Sequence, residues 1–186
     1  MHCSSQSFRS LSHYEKCWVI THPFAALKVK KISKKCYAVY NRQDTKIQLD
    51  TFSNGGQLDA FRHSFFMAAY AQKVKAKKLR KLGIAHEKAN YKQFLNSEFE
   101  EGEIPDSLST VMDLKNNETG LNLGKAHKKE TLDTLKKIVI MEIKNGNMVI
   151  MKRDKSGAYL DCNGYNISLR EQPKQWQVPK CLVSSQ

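Results

Sequence analysis

The chain has 186 residues, 40% of them hydrophobic and 26% charged, with 31 lysines and arginines against 18 acids for a net charge of +13. This length and composition suit one globular domain over 1–186, with irregular tails at 1–10 and 171–186, and exclude a disordered or low-complexity chain. A transmembrane helix is also excluded, because no run approaches the roughly 20 apolar residues a bilayer demands.

In chain order, residues 11–40 place Trp18, Ile20, Phe24, Leu27, Val29, Ile32 and Tyr37 at near-helical spacing, with an interruption at His22-Pro23. Proline disfavours a helical residue before it and suits a helix start, so two helices meeting there are predicted. Residues 41–53 are more polar and read as a connection. Asn54-Gly55-Gly56 marks a turn, and Gln57–Leu82 reads as the central helix, its apolar first half buried and its lysine-rich second half emerging into solvent. Gly83 reads as a break before a helix carrying Ala85-His86-Glu87 to about Leu95. The acidic stretch to Pro105 reads as a loop, after which Asp106 or Ser107 can cap a helix ending near Gly120. A further helix from about Gly124 to Ile143 closes at Asn145-Gly146-Asn147. Met148–Lys152 and Tyr159–Cys162, joined through Asp154–Gly157, read as a small hairpin. The expected fold is therefore mainly α, a compact helical domain with a small C-terminal β-hairpin.

The chemistry lies in polar residues set within apolar helices. Asp59 and His63 stand at i and i+4 and share a helical face, as do Asp113 and Asn117; Ala85-His86-Glu87 supplies a third motif. If the three helices converge, His63, His86, Glu87, Asp113 and Asn117 reach one cavity. Imidazole and carboxylate donors can hold a divalent metal, with Asp59, His63, His86 and Asp113 as its ligands; without a metal, a histidine oriented by a carboxylate serves as acid or base. In either form His63, His86, Glu87 and Asp113 are the catalytic candidates, and Arg62 and Asn117 the substrate-binding ones. No H-E-x-x-H or other dedicated metal spacing is present. The opposing interpretation is packing alone, with buried Asp, His, Asn and Arg satisfying one another and Arg62 paired with Glu87.

Charge is uneven along the chain: Lys75, Lys77, Lys78, Arg80 and Lys81 form an acid-free run, whereas Glu98, Glu100, Glu101, Glu103 and Asp106 cluster. The basic run fits an anionic ligand or surface and leaves nucleic acid open as a partner, although few aromatics interleave with the lysines to stack bases. Five cysteines (3, 17, 36, 162 and 181), without a C-x-x-C pair, read as free thiols of a reducing compartment. Met1–Arg9 lacks a secretory pattern, which gives a cytoplasmic reading, or an extracytoplasmic or lipoprotein one if a leader precedes it.

Taken in order, His22-Pro23, Asp59-Ala60-Phe61-Arg62-His63, Ala85-His86-Glu87 and Met112-Asp113-Leu114 with Asn116-Asn117 and Gly120 resemble a family of bacterial domains of unknown function, met in secreted, lipoprotein and toxin-like proteins. The resemblance spans about residues 15–160. It implies a helix-rich domain with its polar site at these motifs, and it supplies no activity. The chain departs from the family where an arginine often follows the last glycine; here that residue is Leu121. Two functional classes follow: a hydrolase acting on an anionic substrate, metal-dependent or acid–base, or a non-enzymatic binding module whose polar cluster serves packing.

Overall fold

The computed structural model describes residues 8–97, 103–167 and 175–186. Its helices are α1 (His13–Thr21), α2 (Pro23–Tyr40), α3 (Gln43–Lys46), α4 (Gln57–Ala71), α5 (Ala76–Leu95), α6 (Ser107–Ala126) and α7 (Leu132–Lys144), and its strands are β1 (Val149–Met151) and β2 (Leu182–Ser184). The mainly helical class with one small antiparallel strand pair is as expected. No helix among the described residues is long and apolar enough to cross a membrane.

α1 begins at a capping box, in which the Ser12 hydroxyl accepts from Glu15 N and the Glu15 carboxylate accepts from Ser12 N. It ends at His22, and Pro23 starts α2 as expected. Trp18 is buried and its indole N–H donates to the Lys78 carbonyl at 2.8 Å, fastening α1 to the first turn of α5. α4 is the core helix. Thirteen of its fifteen residues are buried, with Phe61, Phe65, Phe66 and Tyr70 forming a contiguous aromatic row. The N-cap residue Gly56 offers no side chain, so Asp50 caps α4 from the preceding connection, accepting from Gln57 N at 2.7 Å and Leu58 N at 3.1 Å. A Cβ on Gly56 would sit 2.6 Å from the Asp50 carboxylate, which therefore requires glycine beside it.

One helix and three glycines depart from the sequence reading. The expected central helix over Gln57–Leu82 breaks after Ala71, at residues 72–75, and Gly83 lies inside α5. Gly120 does not end α6, which runs to Ala126, and Gly124 does not begin the next helix, which starts at Leu132. The reason is close packing: a Cβ on Gly120 would lie 2.2 Å from the Ser64 carbonyl oxygen, and one on Gly124 2.1 Å from that of Ala68. The two glycines let α6 lie directly on the backbone of α4, the most extensive helix pair of the fold.

β1 pairs with β2, in register Val149↔Ser184 to Met151↔Leu182, rather than with Tyr159–Cys162. The turn at 154–157 forms, and its flanks make only an isolated bridge, Arg153↔Tyr159. The 171–186 tail thus supplies a strand, and it is held further by Lys180 Nζ, 2.6 Å from the Asp106 carboxylate that caps α6. Cys162 and Cys181 form a disulfide, correcting the free-thiol reading for this pair; Cys17 and Cys36 are free. Cys3 and the acidic residues Glu98, Glu100 and Glu101 lie outside the described residues.

Candidate metal centre at the floor of a cleft

α4 and α6 each bring a carboxylate to one imidazole. His63 Nε2 lies 3.3 Å from Asp59 Oδ1, one turn earlier on the same helix, and 3.3 Å from Asp113 Oδ1 on α6. The donor atoms of Asp59, His63 and Asp113 all fall within 4.8 Å of one another, and all three residues are buried. Ligand atoms about 2.0–2.2 Å from one cation stand about 3–3.5 Å apart when adjacent, so two of these separations already match a shared ion. The remaining oxygen of Asp59 accepts from Gly55 N at 2.7 Å, which orients the carboxylate from behind.

Arg62 completes the group. Its guanidinium donates to Asp59 Oδ1 at 2.7 Å and stands 3.1 Å from His63 Nε2. Burial by itself pushes Asp59 up, but the Arg62 charge, the proximity of His63 and the Arg62 hydrogen bond outweigh it and hold the carboxyl well below the usual carboxylate range. His63 moves down from its ordinary value, first through burial and then through the Arg62 charge, against the pull of Asp59. An ionised Asp59 and a neutral His63 are the forms that bind a cation, and Nε2 is a ligand only in the tautomer that carries its proton on Nδ1.

Through Arg62 and His63 this group adjoins a cleft of about 1430 Å³ between α1, α2, α4 and α5, which Asp59 and Asp113 do not line. His86 and Asn117 also line it. His86 stands on the wall, its side chain 38% exposed, with Nδ1 3.3 Å from Glu15 Oε1 across the cleft. That places it on the rim instead of in the buried group, because it lies on the face of α5 that α1 covers only in part. Burial pushes Glu15 up, but His86 and the capping bonds of Ser12 outweigh it and leave the carboxyl below its ordinary value. Glu87 is buried and accepts from Asn90 Nδ2 at 3.4 Å; it does not line the cleft. The adjacent asparagines divide their work. Asn117 faces the cleft near Gly83, while Asn116 is a buried clasp for β1, donating to the Val149 carbonyl at 2.9 Å and accepting from Val149 N at 3.0 Å.

Among the lining residues that sequence reasoning did not assign to the site are Glu15, Trp18 and Asn90. Asn90 is 1% exposed and its Oδ1 has no hydrogen-bond partner, an acceptor available to a ligand group. Its spacing of four from His86 was the available signal, since the two share a helical face.

The chain belongs to the domain family of unknown function DUF6973, whose model matches residues 16–147. The match covers every residue of the buried group and agrees with the resemblance drawn from the motifs. No curated protein and no solved structure matches the chain.

Proposed function

We propose that this domain is a metal-dependent hydrolase acting on an anionic substrate bound in the α1–α2–α4–α5 cleft. The observation that carries this reading is the convergence of Asp59, His63 and Asp113, three donors from two helices on one point, with His63 also lining the cleft. Packing would be served more cheaply by apolar residues, because each buried carboxylate loses hydration that only a cation or several hydrogen bonds restore. A bound divalent ion would activate water or polarise a substrate oxygen.

The chain's own residues take the remaining roles. Asp59, His63 and Asp113 would hold the ion, with Gly55 N–H fixing the orientation of Asp59. Arg62 has one fifth of its side chain exposed and lines the cleft, so it can release Asp59 Oδ1 to the ion and turn toward the anionic group of a substrate. His86, on the wall and oriented by Glu15, is placed to move a proton to or from bound substrate, and Asn117 and Asn90 offer polar contacts beside it. Glu87 supports the α5 wall and, lying off the cleft, is reassigned from catalysis to positioning.

A second reading is favoured by one contact. Because Arg62 already neutralises Asp59 at 2.7 Å, the group is also complete as a metal-free unit in which His63 is the base. Metal content separates the two. Protein purified without chelator is expected to carry close to one equivalent of a divalent ion, and to gain thermal stability on adding Mn²⁺ or Zn²⁺ in a manner lost in Asp113→Asn. Less than about a tenth of an equivalent, with no stabilisation by added metal, would refute the metal centre. A panel of activated phosphoesters, assayed with and without the ion, tests hydrolysis itself.

A further inference from the structure

A patch outside the buried group remains unexplained by it. α2 carries Lys28, Lys30, Lys31, Lys34 and Lys35, and no acidic residue occurs from Pro23 to Gln43. All five lysines are exposed. Among them stand large apolar side chains left in solvent: Phe24 is 80% exposed, Leu27 67%, and Ile20 at the end of α1 68%. At 100° per residue, Phe24, Leu27, Lys28, Lys31, Lys34 and Lys35 fall within one sector of about 120° on α2, and the buried Ala25, Cys36 and Val39 within the sector that adjoins it.

We infer that this face, the α1–α2 corner, docks on an anionic phospholipid bilayer. Apolar side chains ringed by lysines and free of acids are the pattern of a helix lying in the headgroup region, where the apolar groups insert and the lysines meet lipid phosphates. Charge complementarity commits the occupant. A second copy of this chain would bring five more lysines against the first five. A nucleic acid would use the lysines but give nothing for desolvating Ile20, Phe24 and Leu27, of which only Phe24 could stack on a base. Pro23, Leu27, Lys30 and Lys34 also line the cleft, so the docked face places the cleft mouth against the headgroups. The surface follows from α1 and α2 alone and stands whether or not the cleft holds a metal.

The test is co-sedimentation of the full chain with phosphatidylcholine vesicles, with and without phosphatidylglycerol. Binding is expected only where phosphatidylglycerol is present, and it weakens with salt. Each lysine contributes about fivefold to partitioning, so K28Q/K31Q/K35Q is expected to lose about a hundredfold. F24S/L27S, which removes inserted apolar area at fixed charge, is expected to lose at least about tenfold. Both variants change exposed positions, and unchanged melting temperatures verify their folding. Absence of binding to phosphatidylglycerol vesicles would overturn the inference, as would binding that F24S/L27S leaves intact. Tighter binding to duplex DNA, indifferent to F24S/L27S, would assign the lysines to nucleic acid instead. A concentration-dependent dimer abolished by F24S/L27S would assign the face to a second copy.

Discussion

Replacing Gly120 with alanine tests both the packing of the fold and its link to the candidate site. On helix propensity alone the change is favourable by about 1 kcal/mol, since glycine is the poorer helix former. The added Cβ, however, would lie 2.2 Å from Ser64 O and 2.7 Å from Ser64 Cα, backbone atoms of α4 that cannot rotate aside. Restoring ordinary contact moves the helix axes apart by about 1 Å, loosening a close-packed interface at a cost of about 1–3 kcal/mol beyond the propensity gain. Asp113 lies two turns before Gly120 on α6, so the same displacement draws its carboxylate away from His63. Gly120→Ala is therefore expected to lower denaturant stability by about 1–3 kcal/mol and to weaken Mn²⁺ or Zn²⁺ binding measured by calorimetry. Gly83→Ala is the internal control. Its Cβ would meet side-chain ends alone, Asn117 Nδ2 at 3.2 Å, the Met67 methyl at 3.4 Å and Leu114 Cδ2 at 3.9 Å, so the change is expected to be near neutral. A Gly120→Ala protein as stable as the parent would refute the claim that α6 rests on the α4 backbone.

Two further outcomes follow from the same structure. Reduction of Cys162–Cys181, which closes a loop of sequence separation 19, is expected to cost about 3 kcal/mol in thermal or urea unfolding, and C162A/C181A should match the reduced parent; equal stability of oxidised and reduced protein would refute it. In chelated protein, burial and then Arg62 hold His63 below its ordinary value of 6.5, so beneath that pH the unfolded chain takes up a proton the folded chain resists. Stability should then fall as the pH drops through this window, with a slope approaching about 1.4 kcal/mol per unit. Asp59, held low, adds a second loss only below about 3.8. His63→Gln should remove the upper part of the slope, and an unchanged profile between pH 6.5 and 5 would contradict the buried neutral imidazole.

Much of the fold was legible because its signals are local. The His22-Pro23 junction, the Asp106 cap and the Asn145-Gly146 stop each act within a turn of themselves, and each falls where the sequence places it. Gly83, Gly120 and Gly124 misled for the opposite reason. A glycine that ends a helix and one that admits a neighbouring helix look alike in sequence, and only the partner distinguishes them. Gly120 and Gly124, four apart on one face, carried a hint of the second kind, because two breakers one turn apart are redundant. The β1–β2 pairing and the Cys162–Cys181 bond had no local signal. Both depend on the chain returning after residue 167 to lie beside β1, where Lys152 N donates to the Cys181 carbonyl.

The buried group was partly legible through helical spacing. Asp59 with His63 required only the i,i+4 rule, but admitting Asp113 required α6 to lie on α4, which the two glycines encode indirectly. His86 and Glu87 show the limit of motif reading. Adjacent residues on a helix point about 100° apart, so one turns to the cleft and the other into the helix packing, and a three-letter motif cannot say which. Asn116 and Asn117 divide in the same way, one clasping β1 and the other facing the cleft. Each of these pairs joins a cleft residue to a packing residue, so the same short motifs hold the helices together and furnish the site. Substitution at Asn116 or Glu87 should therefore impair any activity by displacing the neighbour, and stability measurements run beside the activity assay would separate that indirect loss from the direct loss expected at His86 or Asn117.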